Sequence, residues 1–180
     1  MATRLSQITA LAENPASDDF LMVVDKSDTT SSADGTSKKI DNKYIIQTDK
    51  LSLVAANFNA MDDTGAVGTY QELVQNPGSG YAIIPLSVLI ITKNFVTAET
   101  SNNSLYFGWS PSTTTSYWKT ISRWNGSVLT VASFQYVADI SARGMAGASI
   151  ENLKFYMFAN NNFNGNYGAD VYTTYQIVKL

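Results

Sequence analysis

The chain has 180 residues, 44% of them hydrophobic and only 15% charged, with a formal net charge of −3 and neither cysteine nor histidine. That length fits one domain, or one domain with an anchoring arm, but not two large ones, since a domain takes roughly 100–200 residues. The composition removes disulfides, thiol nucleophiles, Cys/His zinc sites and every mechanism that needs a histidine, and the acidic balance argues against nucleic acid, which is gripped mainly by Lys and Arg.

The opening stretch, MATRLSQITALAENPASDDF, lacks the continuous apolar core of a secretory signal. Residues 1–50 carry Asp18, Asp19, Asp25, Asp28, Asp34, Asp41 and Asp49 with few aromatics, which sets a boundary near Asp49 to Leu53 and divides the chain into an arm, 1–50, and a domain, 51–180. Within the arm, Phe20 to Val24 form a compact apolar strand, Ser31 to Gly35 supply turn chemistry ending in Asp-Gly, and Thr36 to Ile40 return as a second strand, predicting a β-hairpin. Asp41 is placed to cap a short helix over 42–47. A hairpin with one helical turn holds too little core to be stable alone, so the arm needs a partner surface. Lys38 and Lys39 read as a solvated strand end. Asp25, Asp28 and Asp34 lack the alternating oxygen-ligand spacing of a calcium loop. No metal or cofactor is implied.

Beyond Leu53, strand signals bounded by Gly, Asn, Pro and Ser follow one another closely, which predicts an all-β fold, an antiparallel β-sandwich of the jelly-roll kind. Strands are expected near 69–75, 81–95 (broken or bent at Pro85), 104–110, 116–124, 127–134, 136–140, 153–159 and 171–178. The apolar run Tyr81 to Ile91 is too short to cross a bilayer, so no membrane insertion is expected. Asn125-Gly126 marks a type I′ hairpin turn, and Asn76-Pro77-Gly78-Ser79-Gly80 separates two strands. In the last strand Val171, Thr173, Tyr175 and Ile177 share one face and Tyr172, Thr174, Gln176 and Val178 the other, which weaves the C-terminal segment into a sheet.

The segment Asp19 to Thr30, followed by Gly35-Thr36-Ser37-Lys38-Lys39-Ile40, resembles a motif at the start of tailed-phage fibre and head-fibre proteins. Leu73-Val74 with Pro77 to Ile83, and the closing Tyr172 to Leu180 strand, are similar to phage virion β-sandwich domains. The resemblance implies a virion protein, a head or tail fibre or capsid decoration, that trimerises and docks on other capsid or tail proteins through residues 1–50, with Phe20, Leu21, Val23, Lys38, Lys39 and Ile40 at the attachment. It assigns nothing between roughly residues 93 and 166.

Catalysis would have to rest on carboxylates. Asp18/Asp19 and Asp62/Asp63 are adjacent, but neighbours on a strand point to opposite faces, while glycoside cleavage needs two carboxylates facing one bond. Turn or capping roles suit them better, although Glu72, Glu99, Asp139, Glu151 and Asp170 could converge in space. Gly144-Met145-Ala146-Gly147 lacks the sequel of a phosphate loop. No enzyme is expected. A sharper alternative is a receptor-binding tip: Trp109, Trp118 and Trp124 with an amide-rich loop carrying Asn162 and Asn164 could stack and hydrogen-bond host cell-surface glycan. The same tryptophans could instead fill the sandwich or a subunit interface.

Overall fold

The computed structural model describes residues 20–25, 27, 30, 36–41, 45–111, 117–121, 124, 134–138 and 150–180. The chain divides into two compact units, Met1–Ile45 and Ile46–Leu180. In the first, β1 (Phe20–Asp25) and β2 (Thr36–Asp41) pair antiparallel in a two-stranded sheet, with Leu21 opposite Ile40 and Val23 opposite Lys38. The hairpin read from the sequence is therefore present. The helix expected over 42–47 is contradicted over 45–47, where Ile45 and Ile46 are not helical and Gln47 opens the next strand; 42–44 lie outside the described residues.

The second unit is an antiparallel β-sandwich. Among the described residues its strands are β3 (Gln47–Leu53), β4 (Gln71–Val74), β5 (Tyr81–Thr97), β6 (Leu105–Gly108), β7 (Tyr117–Ile121), β8 (Phe134–Ala138), β9 (Phe155–Ala159) and β10 (Asn166–Lys179), with one short helix, α1 (Ala55–Asn59), between β3 and β4. One sheet runs β3-β10-β5-β8 and the other β4-β9-β6-β7. With the eight strands counted along the chain, the orders are first-eighth-third-sixth and second-seventh-fourth-fifth, the interleaved order of a jelly roll. The boundary expected at 50/51 falls inside β3, whose seven residues pair with β10 from Gln47↔Tyr175 to Leu53↔Ala169, so the sandwich begins a few residues earlier.

Alternation decides which residues meet in the core. On β10, Tyr167, Ala169, Val171, Thr173, Tyr175 and Ile177 are buried, while Asp170, Tyr172, Thr174, Gln176 and Val178 are only partly covered. Facing them from the second sheet are Leu105 and Phe107 on β6 and Phe155, Met157 and Ala159 on β9, and all these apolar side chains join one cluster. β5 runs unbroken through Pro85, where a break or a bend was expected. The register instead slips there, because Thr174 pairs with Ser87 and Tyr175 with Pro85, leaving Leu86 unmatched. One extra residue inverts the parity of a strand. Ile83 and Pro85 accordingly point inward before the bulge, and Val88, Ile90 and Thr92 after it.

The turn from β4 to β5 uses Gly78 (φ 98°) and Gly80 (φ 79°), positive angles that L side chains rarely adopt. It is fastened from outside: Asn152 Oδ1 accepts from Gly78 N at 2.9 Å and Glu151 Oε1 from Gly80 N at 2.6 Å. The strands expected near 69–75, 104–110 and 153–159 correspond to β4, β6 and β9, and that near 116–124 to β7. The expected 127–134 strand and the Asn125-Gly126 turn lie outside the described residues, apart from Phe134 in β8.

The parity inversion gives a direct prediction. Ile83→Ala and Ile90→Ala each remove a side chain with no exposed surface and should each cost about 2–5 kcal/mol. Their neighbours Ile84 and Leu89 lie on the partly exposed face, so alanine there should cost less than about 1.5 kcal/mol. Urea unfolding of the four variants checks this, and four equal losses would show that the bulge does not set the inward face.

Candidate functional site

The most constrained group of polar side chains lies where β5 ends and β10 begins. Thr97 and Asn166 form the last pair of that ladder, and Glu99 follows two residues later with 1% of its surface exposed. A buried carboxylate is costly unless its oxygens receive hydrogen bonds. Glu99 receives several: Oε1 accepts from Ser101 N at 2.9 Å, and Oε2 accepts from Asn164 N at 3.1 Å, Gly165 N at 2.9 Å and the Tyr167 hydroxyl at 3.2 Å. Tyr167 Oη in turn accepts from Trp124 Nε1 at 3.0 Å. The backbone of one loop, the start of another and two aromatic side chains thus converge on one anionic group.

Apolar packing encloses the cluster. Phe58 of α1 stacks on Trp124 with centroids 6.4 Å apart and packs against Tyr167 at 5.1 Å and Phe163 at 6.3 Å. Helix α1 is itself fixed by Asn57, whose Oδ1 accepts from Val54 N at 2.9 Å. Gly165 has no room for a side chain: an added Cβ would lie 2.3 Å from Tyr167 Cε1 and 3.1 Å from Glu99 Oε2. Burial, reinforced by the Glu99 charge, pushes the Tyr167 hydroxyl well above its ordinary pKa of 10.0.

Of the residues singled out for glycan recognition, Trp109 and Trp124 are 5% and 3% exposed. Trp109 donates from Nε1 to Ile83 O at 3.1 Å and meets Phe155 edge to face at 5.7 Å. Both indoles are core groups with internal partners, and no sugar can stack on them as they stand. Trp118 lies on β7, and its side chain lies outside the described residues. Asn162 and Asn164 are exposed but already employed: Asn162 Nδ2 donates to Met61 O at 3.3 Å, while Asn164 Oδ1 accepts from Thr100 N at 3.0 Å and Asn164 Nδ2 donates to Thr100 Oγ1 at 3.0 Å. The structure brings Trp124, Asn162 and Asn164 to one end of the sandwich, through Trp124 N bonded to Asn103 O and Asn103 Nδ2 bonded to Asn162 O. Trp109 packs instead against Ile83 and Phe155, away from that network.

The residues expected at the attachment all lie on the hairpin: Phe20, Leu21 and Val23 on β1, and Lys38, Lys39 and Ile40 on β2, with Lys38 exposed. Among the described residues, the carboxylates weighed for catalysis are engaged at separate places. Asp62 accepts from Thr64 N and Oγ1, and the hydroxyl bond holds its carboxyl below the usual range. Glu72 on β4 pairs with Lys154 at 2.7 Å, and Glu151 fastens the β4–β5 turn. Asp170, on the outer face of β10, binds Lys93, Ser52 and Lys50, and its carboxyl is held far below the ordinary carboxylate value of 3.8, first by Lys93 and next by Ser52. Asp18, Asp19, Asp28, Asp34 and Asp139 lie outside the described residues. Among the described residues no group of three or more acidic side chains could hold a metal ion.

No family model matches the chain, and no curated protein matches it either. What the geometry defines is an all-β sandwich whose open end is tied around one carboxylate.

Replacing Glu99 by Gln turns an amide N–H₂ toward backbone N–H donors and should lower stability by at least about 2 kcal/mol, read by denaturant unfolding; a neutral result would mean the carboxylate does not organise these loops. Alkali tests the tyrosines. Burial raises the pKa of both Tyr167 and Tyr175 above the ordinary 10.0, with Glu99 and Asp49 adding charge repulsion. A raised value favours the neutral hydroxyl in the fold, so this stability is complete below pH 10.0 and is lost as pH climbs above it. Tyr167→Phe and Tyr175→Phe should each flatten the alkaline decline of unfolding free energy.

Proposed function

We propose that the chain is a structural component of a bacteriophage particle, a homotrimeric head or tail fibre or decoration protein that attaches to other virion proteins through its N-terminal arm. The observation that carries this reading is the hairpin. Among the described residues β1 and β2 pair only with each other, in a unit separate from the sandwich, and an isolated two-stranded sheet is at best marginally stable in water. A short unit of that kind gains its stability from a surface it docks on. Its strands carry the segment that resembles the attachment motif of phage fibres, with β1 apolar from Phe20 to Val24, the pattern of a strand covered on both faces.

The jelly-roll order supports the reading by analogy of fold, since viral capsid and lectin domains share it. It would equally suit the glycan-binding alternative. That alternative loses two of its three stacking surfaces, Trp109 and Trp124, to the core, which favours the structural reading.

Light scattering of the full chain should return the mass of three copies. A chain begun at Ile46, where the sandwich unit starts, should likewise return the mass of three of its own, shorter copies if the sandwich carries the assembly. Leu21→Asp with Val23→Asp should leave the mass of the full chain unchanged but abolish its sedimentation with particles. A single-copy mass for the full chain would sink the trimeric reading, and particle association that survives the double substitution would sink the role of the arm.

A further inference from the structure

The chain contains two Asn-Gly dipeptides, Asn125-Gly126 and Asn164-Gly165. An asparagine before glycine readily loses its side-chain amide, because the glycine nitrogen reaches the asparagine Cγ without hindrance from a Cβ. In this reaction the Gly165 nitrogen, having given its proton to a base in solvent, bonds to Asn164 Cγ. The Cγ–Nδ2 bond breaks, Nδ2 departs as ammonia, and a cyclic imide remains. Water then opens the imide at either carbonyl, leaving aspartate or isoaspartate. The net change is amide plus water to carboxylate plus ammonium, with no oxidant or reductant.

We propose that Asn164 is a latent modification site that Glu99 keeps closed, and that its conversion, once the loop opens, locks the loop open. Two features of the closed state oppose the reaction. The attacking nitrogen belongs to a buried residue and donates its hydrogen to Glu99 Oε2 at 2.9 Å; a negative charge at that distance disfavours loss of the proton. The side chain that must be attacked is held by Thr100, whose backbone N and Oγ1 both bond Asn164 Oδ1, at 3.0 and 3.3 Å. Asn164 N is engaged as well, donating to the same Glu99 carboxylate. The backbone and side chain of the dipeptide are thus tied to different residues, so the ring cannot close until those bonds break.

The product does not fit back. Conversion deletes the Nδ2 donor to Thr100 Oγ1 and places a second carboxylate on the residue whose own N–H supports the buried Glu99. Isoaspartate also adds a methylene to the main chain between Asn164 N and Gly165 N, the two donors that must reach one carboxylate. The inference is independent of the role in a phage particle: it concerns only the chemistry at the closed end of the sandwich.

The test follows the conversion of Asn164 over time by peptide mass spectrometry, at mildly alkaline pH, in the folded full chain and in the same chain unfolded in urea, where Asn125 calibrates the intrinsic rate. Conversion should be at least about tenfold slower in the folded chain, the factor that ~1.4 kcal/mol of opening free energy supplies. Glu99→Gln should bring the rate toward the unfolded value. Thr100→Ala, which keeps the Glu99 bonds, should accelerate it less while circular dichroism remains native. Equal rates in folded and unfolded wild type would overturn the proposal, as would faster conversion in the fold, which would make Glu99 a promoting base. A folded Glu99→Gln chain that converts as slowly as wild type would overturn the part given to Glu99.

Discussion

The sandwich depends on the pairing of β5 with β10 and on the way that ladder is closed. β10 lies between β3 and β5, and β5 between β10 and β8, so the two long strands form the middle of one sheet and their buried faces form half of the core. The ladder runs from Lys179↔Tyr81 at one end to Asn166↔Thr97 at the other. At that second end the paired strands would splay into loops with unsatisfied backbone donors, a costly arrangement for buried groups. Glu99 resolves it by accepting from both chains at once. Among the described residues its hydrogen-bond partners include no cation; three backbone N–H groups and a tyrosine hydroxyl balance the charge, in the manner of a nest that binds an anion. Trp124 and Phe58 then seal the cluster, which joins helix α1 and the loops after β5 and before β10 to the same core.

Outside the core, electrostatics serves a different purpose. Asp170 sits on the partly covered face of β10, opposite Ile91 of β5 and Ser52 of β3, and draws a lysine from each flanking strand. Such exposed pairs add little to stability individually. They do place both charges of a sparsely charged sheet face at its middle, where β3, β10 and β5 must stay in register. The hydrogen bonds around Glu99 and the Lys93–Asp170 ion pair of the outer face thus both tie β5 to β10, from opposite sides of the sheet.

Much of the fold was legible in the sequence, because the information for a half-buried strand is local. Val171, Thr173, Tyr175 and Ile177 alternate with Tyr172, Thr174, Gln176 and Val178, and this period of two separated the two faces of β10; with apolar groups on both, which face turns inward came only from the burial of the first set. β3 was hidden for the complementary reason. Two of its inward-leaning residues, Gln47 and Asp49, are polar and read as part of an acidic arm. Their place in a strand makes sense only through Tyr175, whose hydroxyl lies 2.8 Å from Gln47 Oε1 and 3.0 Å from Asp49 Oδ2 although it is 128 and 126 residues away. Glu99 was similarly opaque: its partners Gly165 and Tyr167 lie 66 and 68 residues on, and no local spacing announces them. Pro85 was informative in part. It signals an irregularity, but whether the chain breaks or merely slips by one residue is decided by the partner strand.

The neutral polar composition takes on a definite meaning once these bonds are traced. The amides of one loop were read as offered to sugar hydroxyls, yet these and several others close the loops of their own chain. Asn57 caps a helix, Asn152 fastens a turn, Asn160 Oδ1 accepts from Ser104 N at 2.6 Å, and Asn103, Asn162 and Asn164 bond backbone or Thr100 across neighbouring loops. An amide can donate and accept at once without a charge to desolvate, which suits crowded loop ends where a lysine or a second carboxylate would carry a heavy solvation cost. A chain that ties its loops with asparagine needs few charges to stay ordered. It also accepts the one chemical weakness that asparagine brings, and at Asn164 the same carboxylate that orders the loops stands beside the bond at risk.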